Sequence, residues 1–336
     1  MALSAERSLF TTLLCVITRS VFSSLGSLGS PQLSWLSSAL FTLALTMSNV
    51  HQVEGRSVSS PTVERSSGHQ SADHRAFKRV ISAAQAVAII NKAERRSVGQ
   101  THRPQLSLLD ARDLSPKYYW SRARGALHTP WRDFTVESRS GVLIPQGALQ
   151  KRVRALGLSP EQQIIIYGEW ERGWGEEARM LWLLEYLGHK NVYVVEGGWA
   201  ALKSAQVQTS WGRTPTIVPS SWEVQPRPEL RVDTEKAARL VSTGHLSIDA
   251  RSRREFEGET PYGSSYGGHL KESVHLPWRS LLTADHHLRS SQELKAIFLR
   301  LGVLENQPVF TYCTGGVRSA FIYLALHEAG FDEAMN

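Results

Sequence analysis

The chain repeats itself. Leu108-Leu109-Asp110-Ala111-Arg112 returns as Ser247-Ile248-Asp249-Ala250-Arg251, and His128-Thr129-Pro130-Trp131 returns as His275-Leu276-Pro277-Trp278. Ile164-Ile165-Ile166-Tyr167-Gly168 returns as Val309-Phe310-Thr311-Tyr312-Cys313. The matches keep their order, at offsets of 139, 147 and 145 residues, so the copies differ by small insertions. Ordered self-similarity of this kind marks a duplicated domain. The 336 residues leave room for about two domains at the usual size. We place the halves at 76–215 and 226–336, joined by a linker at 216–225. The stretch around that linker holds Pro215, Pro219, Pro226 and Pro228, which suits an extended connection.

Each half alternates short apolar runs with helical periodicity. In the first half, 80–93 reads as an amphipathic helix with Val80, Ala84, Val87 and Ile90 near one face. The runs 106–109, 164–167 and 192–195 read as buried strands. The segment 176–187 reads as a helix, with two acids at its start and Gly188 at its end. This alternation predicts an α/β fold, with a mainly parallel sheet flanked by helices in each half. In such sheets reactive groups sit where the carboxyl end of a strand turns into a helix.

Residues 1–75 differ from the rest. Between Ser20 and Val50 there is no acidic or basic side chain, and 33–47 is a mostly apolar run of 15 residues preceded by Arg7 and Arg19. That run is long for the apolar core of a signal peptide and short for a bilayer span of about 20 residues. The expectation is a secretory leader, making the protein periplasmic or secreted. A mitochondrial transit peptide and a retained anchor through 33–47 are the alternatives. From Glu54 to His74 the chain is rich in Ser, His and Arg and poor in apolar residues, as in a linker.

The cysteine count is informative. Cys15 and Cys313 are the two cysteines, too few for a disulfide scaffold or a Cys-rich metal centre. Loss of the leader leaves Cys313 alone, as a buried inert thiol, an intermolecular partner or a reactive group. The balance of 38 Lys and Arg against 31 Asp and Glu gives a net charge of +7, with no basic block or basic–aromatic stripe. Nucleic acid is therefore not an expected partner.

Cys313 sits in the one constellation that carries chemistry. The run 309–312 reads as a strand, 313–319 as a turn and 320–329 as a helix closed by Gly330. Gly315 and Gly316 let the turn curl without Cβ clashes. A loop curling into a helix N-terminus aims several N–H groups at one point and gives it partial positive charge. Cys313 begins that loop, so the field favours its thiolate over the thiol. Arg318 adds a cation at the rim. Such a cradle, formed by Thr314, Gly315, Gly316, Val317, Arg318 and Ser319, suits a thiolate nucleophile or an anionic persulfide.

At these residues the chain resembles the rhodanese (sulfurtransferase) family in its tandem two-domain form, over about 78–336. Gly268-His269-Leu270-Lys271-Glu272-Ser273-Val274-His275-Leu276-Pro277-Trp278 is similar to the family's Gly-His-Ile-Pro-Gly-Ala-x-x-x-Pro-Trp segment. Asp249-Ala250-Arg251 resembles its Asp-x-Arg strand end, and Glu196-Gly197-Gly198-Trp199 its Asp-Gly-Gly-Trp. The resemblance implies a persulfide on Cys313, loaded from thiosulfate or 3-mercaptopyruvate and discharged to cyanide, a thiol or a protein thiol. It implies no metal and no organic cofactor. It also implies an inactive first half, whose loop carries Gly168 in place of the cysteine, together with Glu169 and Glu171.

Departures from the family leave the donor open. Glu255 stands where mercaptopyruvate-type members carry a second arginine after the Asp-x-Arg. The loop Thr314-Gly315-Gly316-Val317-Arg318 matches neither the thiosulfate nor the mercaptopyruvate form. The family usually continues past the residue matching Asn336, so the second half is expected to be truncated. Arg318 and Arg251 are the expected contacts of a small anionic donor, with Asp249 ordering the strand end. His269 and His275 are expected as turn and core residues, His286 and His287 as exposed loop, and Trp131 and Trp278 as packing anchors. Two other function classes remain: a sulfur carrier or binding module without turnover, and a phosphatase or arsenate reductase on the same fold. Four residues separate Cys313 from Arg318, one fewer than the phosphatase loop needs. Oligomeric state is not legible.

Overall fold

The computed structural model describes residues 78–97, 105–136 and 141–336. The leader, the linker that follows it and Cys15 lie outside the described residues. No helix among the described residues is long and apolar enough to cross a membrane.

In the first half, β1 (Val80–Ile81) leads to α1 (Ala83–Ser97), β2 (Leu106–Asp110), α2 (Ser115–Trp120), β3 (Arg122–Ala123) and β4 (Leu127–His128). Then come α3 (Gln146–Ala155), β5 (Gln163–Tyr167), α4 (Glu176–Tyr186), β6 (Val192–Val195), α5 (Gly198–Ser204) and β7 (Thr209–Ser210). The second half runs α6 (Thr234–Ser242), β8 (Ser247–Asp249), α7 (Arg253–Phe256) and β9 (Val274–His275). It closes with α8 (Ser291–Arg300), β10 (Val309–Tyr312), α9 (Val317–Glu328) and β11 (Ala334–Met335).

Two parallel sheets result, ordered β1-β6-β5-β2-β4 and β11-β10-β8-β9, and β3 and β7 form an antiparallel ribbon. The repeat is conserved down to the register. Asp110 pairs with Tyr167 and His128, and Asp249 pairs with Tyr312 and His275. Each half thus brings Asp, Tyr and His side by side at the carboxyl ends of its central strands. The Ile- and Val-rich central strands are buried, as expected of strands covered by helices on both faces. Trp131 and Trp278 are buried anchors.

Local readings need adjustment at two places. The helix expected over 80–93 starts later, because Val80 and Ile81 pair with Val194 and Val195 as an edge strand. Ser82 and Gln85 then cap the helix reciprocally, at 2.9 and 3.2 Å. Ala86 and Ile90 are its buried residues, and Ala84 is exposed. At the other site, α9 begins at Val317 rather than at 320. Gly316, at φ 72°, caps it in the left-handed conformation, which places Arg318 and Ser319 in the first helical turn.

The linker expected at 216–225 is extended but packed. Trp222 and Val224 are buried, and the Ser220 and Gln225 N–H groups donate to the Arg154 and Leu187 carbonyls at 2.9 and 3.1 Å.

The halves meet along α4 and α9, which pack on each other. Both helices are buried almost all round, so neither shows the apolar stripe of a surface helix. Tyr323 Oη donates to Glu185 at 2.6 Å, and the Arg79 guanidinium meets the same carboxylate at 2.6 Å. The Trp182 indole N–H donates to the Leu230 carbonyl at 3.0 Å. Trp170 packs edge-on against Phe321, with ring centroids 5.2 Å apart.

Candidate active site

Cys313 follows the last residue of β10 and lies half-buried, a free thiol packed against the core. Its sulfur accepts from the Ser319 hydroxyl at 3.5 Å. Burial pushes the thiol pKa up. The Arg318 charge, the Ser319 hydroxyl and amide, and the Gly315 amide pull it down further, so it lies below its ordinary value. These surroundings favour the thiolate of Cys313 over the thiol.

Arg318 departs from the expectation of a rim cation. It is buried, and its guanidinium fork is closed by Glu255, with Nη1–Oε2 at 2.7 Å and Nη2–Oε1 at 2.8 Å. Thr314 Oγ1 joins the pair, donating to Glu255 at 3.1 Å and accepting from Arg318 at 3.0 Å. Glu255 is fixed in turn by a capping box with Ser252 at the start of α7. Burial alone would raise the Glu255 pKa. The hydrogen bonds from Arg318 and Ser252 and the Arg318 charge overcome it and hold the carboxyl down at about 2. Trp174, from the first half, and Tyr262 lie over the Arg318 guanidinium at 5.4 and 5.6 Å, both with partly exposed rings.

Arg251 is committed as well. Its Nε and Nη2 meet Asp249 at 2.9 and 2.6 Å, and Nη2 also donates to the Gly268 carbonyl. Asp249 is fully buried and also accepts the Arg251 amide, as befits a residue that orders the strand end. The same pair recurs in the first half as Asp110 and Arg112. The expectation that Arg318 and Arg251 meet an anionic donor thus runs against an arrangement in which carboxylates already take up both forks. What faces the sulfur is the amide and hydroxyl lining of Gly315 and Ser319. His275 Nε2 donates to the Arg251 carbonyl oxygen at 3.0 Å, while His269 is exposed and stacks on Phe256. His286 and His287 are exposed, as expected. Among the described residues no cluster of His, Cys, Asp and Glu could hold a metal ion.

Three neighbours shape the loop in ways that the sequence does not announce. Glu255 had a readable local signal, the Ser-x-x-Glu capping pattern, but nothing local points it at Arg318. Gly141, at φ 82°, lies so close to the loop that a Cβ there would stand 2.7 Å from the Gly315 carbonyl oxygen. Arg179 of α4 donates to the Gly316 and Gly141 carbonyls at 3.3 and 3.0 Å. These approaches come from the other half of the chain, and no local pattern announces them.

The matching loop of the first half is built differently. Its strand end carries Gly168, and a Cβ built there would fall on the Glu177 carboxylate. Glu177 is fully buried, and burial and the Glu176 charge push it up to about 8. A carboxyl group thus occupies the place a sulfur would need. Gly168→Cys in a Cys313→Ser background is expected to take up no sulfur from any donor. Intact mass after donor treatment checks this, and a donor-dependent gain at residue 168 would contradict it.

The Arg318–Glu255 pair gives a second expectation. Glu255→Gln leaves a buried guanidinium short of its charge partner and should cost about 3 kcal/mol at pH 7. Because the folded pKa of Glu255 is depressed, its contribution is complete above the ordinary value of 4.5 and fades as pH falls toward about 2. Thermal melts of both proteins should therefore differ at pH 7 and converge over that acid range. A gap independent of pH would show that the charge is not what stabilises.

Comparison with known proteins agrees with this geometry. The family model "Rhodanese-like domain" matches twice, at residues 95–205 and 233–336. Thiosulfate sulfurtransferase of Rattus norvegicus is 28% identical over 245 residues, covering 68% of this chain and 80% of that one. The sulfur carrier protein TtuD of Thermus thermophilus is 26% identical over 241 residues, covering 66% of this chain and 81% of that one. The crystal structure of SseA from Escherichia coli, described with the rhodanese fold of 3-mercaptopyruvate sulfotransferases, aligns with a TM-score of 0.65 at 21% identity. It covers 77% of this chain and 97% of that one. A doubled family match, a doubled sheet register and a single loop cysteine make this chain a tandem-domain member of the rhodanese-like sulfurtransferase family.

Proposed function

We propose that the protein transfers sulfane sulfur through a persulfide on Cys313. The observation that carries this reading is the seat of Cys313 between the end of β10 and the start of α9, where its sulfur accepts from the Ser319 hydroxyl at 3.5 Å and faces the Gly315 and Ser319 amides. The thiolate attacks the outer sulfur of thiosulfate; a Cys–S bond to that sulfur forms, its bond to the sulfonate breaks, and sulfite leaves with the electron pair. From 3-mercaptopyruvate the carbon–sulfur bond breaks instead, and the carbon fragment takes a proton to become pyruvate. The persulfide anion then rests in the 314–319 loop. Cyanide or a thiolate attacks its terminal sulfur, takes it away, and returns Cys313 as thiolate.

In this reading Arg318 supplies field rather than a fork. Its charge stabilises the sulfur anion while Glu255 and Thr314 hold the guanidinium in place, so thiosulfate and 3-mercaptopyruvate are bound chiefly by amides and hydroxyls. The likeness to the sulfur carrier protein of Thermus thermophilus supports a second reading, in which the persulfide passes to a protein thiol and small acceptors turn over poorly.

The test measures steady-state turnover with thiosulfate and with 3-mercaptopyruvate, each against cyanide, beside the intact mass after donor alone. A gain of one sulfur, about 32 Da, that cyanide removes is expected. Absence of that gain with both donors would overturn the persulfide. Loading followed by poor cyanide turnover would favour the carrier.

A further inference from the structure

Arg179 has an unusual position for an arginine. It lies on α4, in the half without a cysteine, and is 4% exposed. Its guanidinium packs 4.4 Å over Trp182, and its donors go to two carbonyl oxygens, Gly316 in the active loop and Gly141 beside it. Among the described residues no carboxylate pairs with it. The other arginines of the site are each matched to an acid, Arg318 to Glu255 and Arg251 to Asp249. A buried cation held only by carbonyls is costly unless an anion shares its surroundings.

The anion within reach of its field is the sulfur of Cys313. Burial pulls Arg179 down to about 10, still well above neutral pH, and the Cys313 charge is what raises it again, against Arg231, which lowers it further. The nearest charge acting on Cys313 is that of Arg318 on α9, which itself faces Glu255 on α7 and Tyr262 in the loop beyond α7. Arg318 shares its charge with the Glu255 carboxylate, whereas Arg179 spends its donors on carbonyls.

We propose that Arg179, supplied by the cysteine-free half, is a second counter-cation, beside Arg318, of the sulfur anion on Cys313 and pins the Gly316 carbonyl of the active loop. This rests on the Cys313 reading above and adds to it a reason for the two halves to stay joined. Arg179 is a positioning residue: it acts on the reacting sulfur through its field and through the loop backbone. A Cβ at Gly316 would stand 2.6 Å from its Nη1, so the loop and the guanidinium are fitted to each other. The Asn336 amide donates to the same Gly316 oxygen at 3.1 Å, so Arg179 brings charge where a neutral donor is already present.

The test uses the full chain without any donor. The rate of iodoacetamide alkylation of the Cys313 peptide, followed by mass spectrometry from pH 5 to pH 10 (roughly the range in which such a thiol titrates), gives the thiol midpoint. Arg179→Gln keeps a hydrogen-bond donor for the carbonyls and removes the charge; Arg179→Lys keeps the charge and loses the fork. The proposal expects the midpoint of Arg179→Gln to rise by about one pH unit, with alkylation near neutral pH falling about tenfold. Arg179→Lys should stay close to the parent midpoint while its turnover falls. An unchanged midpoint in Arg179→Gln overturns the proposal, whatever happens to turnover, since a merely structural residue would leave the titration alone. Equal shifts in both variants overturn it too, because charge would then not be the cause. If Arg179→Gln fails to fold, Arg179→Lys decides: a midpoint raised by as much as one unit overturns the proposal, and an unmoved midpoint with lowered turnover supports it. Because the resting thiol is read without donor, failure of persulfide loading and failure of this proposal give different results.

Discussion

Cys313→Ser should reduce sulfur transfer to the background of the uncatalysed reaction, a loss on the order of 10³-fold or more. The substitution replaces one atom and keeps the volume near that of the original side chain. The half-buried position, the Arg318–Glu255 pair and the Ser319 hydroxyl all survive it. Folding should be nearly unaffected, so the loss is chemical. A hydroxyl at this position stays protonated at neutral pH even under the field that depresses the thiol, and an oxygen cannot carry the transferred sulfur as a persulfide. The variant should still bind donor, because the amide lining does not depend on the sulfur. Steady-state rates, intact mass after donor treatment and a thermal melt check the three parts together. A serine variant that folds normally and turns over at the parental rate would move the chemistry away from residue 313 altogether.

The fold was legible because the chain states it twice. A run such as Ile164-Ile165-Ile166-Tyr167 is ambiguous alone, since a short apolar run fits a strand or a buried helix. Its return as Val309-Phe310-Thr311-Tyr312, in the same order among other matches, removes the ambiguity. Both runs are strands in the same register against Asp110 and Asp249. What was misplaced lies at element ends. Val80 and Ile81 fit the periodicity of the helix that follows, yet two β-branched residues beside Val194 and Val195 gain more as an edge strand. The start of α9 was set three residues late because glycines read as loop, whereas Gly316 here is the cap itself.

The site was legible in part. The proposed nucleophile and its cradle are contiguous, from Cys313 to Ser319, so a sequence can suggest them together. The state of Arg318 could not be read, because it depends on Glu255, 63 residues earlier. Glu255 looked like a missing arginine; in the structure it is the partner that fixes the loop arginine. Gly141 and Arg179 are farther still, 172 and 134 residues from Cys313, and belong to the other copy of the domain. A duplicated domain whose first copy has lost its nucleophile invites a reading as mere support. The geometry gives it contact with the active loop itself.

The second half expressed alone, as 226–336, should fail to reach a native state and should show less than about a tenth of the full-length rate per mole. Helix α9 carries the active loop at its N-terminus and is buried on all sides, one of them covered by α4. Removing the first half uncovers Phe321 where Trp170 packs on it, and each such side chain gives up about 2 kcal/mol of burial. Tyr323 loses Glu185 as its acceptor, and the Leu230 carbonyl loses the Trp182 indole. Arg279, which donates to the Glu171 and Gly173 carbonyls, is left facing water. Against a domain stability of only about 5–15 kcal/mol, losses on this scale leave no native margin for a half of this size. The active loop suffers most directly, since Gly141 and Arg179 no longer abut Gly315 and Gly316. Near-ultraviolet circular dichroism and turnover per mole decide the matter. A fragment with a native near-ultraviolet spectrum and the full-length rate would show that the loop holds its shape unaided, and that the contacts of the first half with it are packing without consequence for the chemistry.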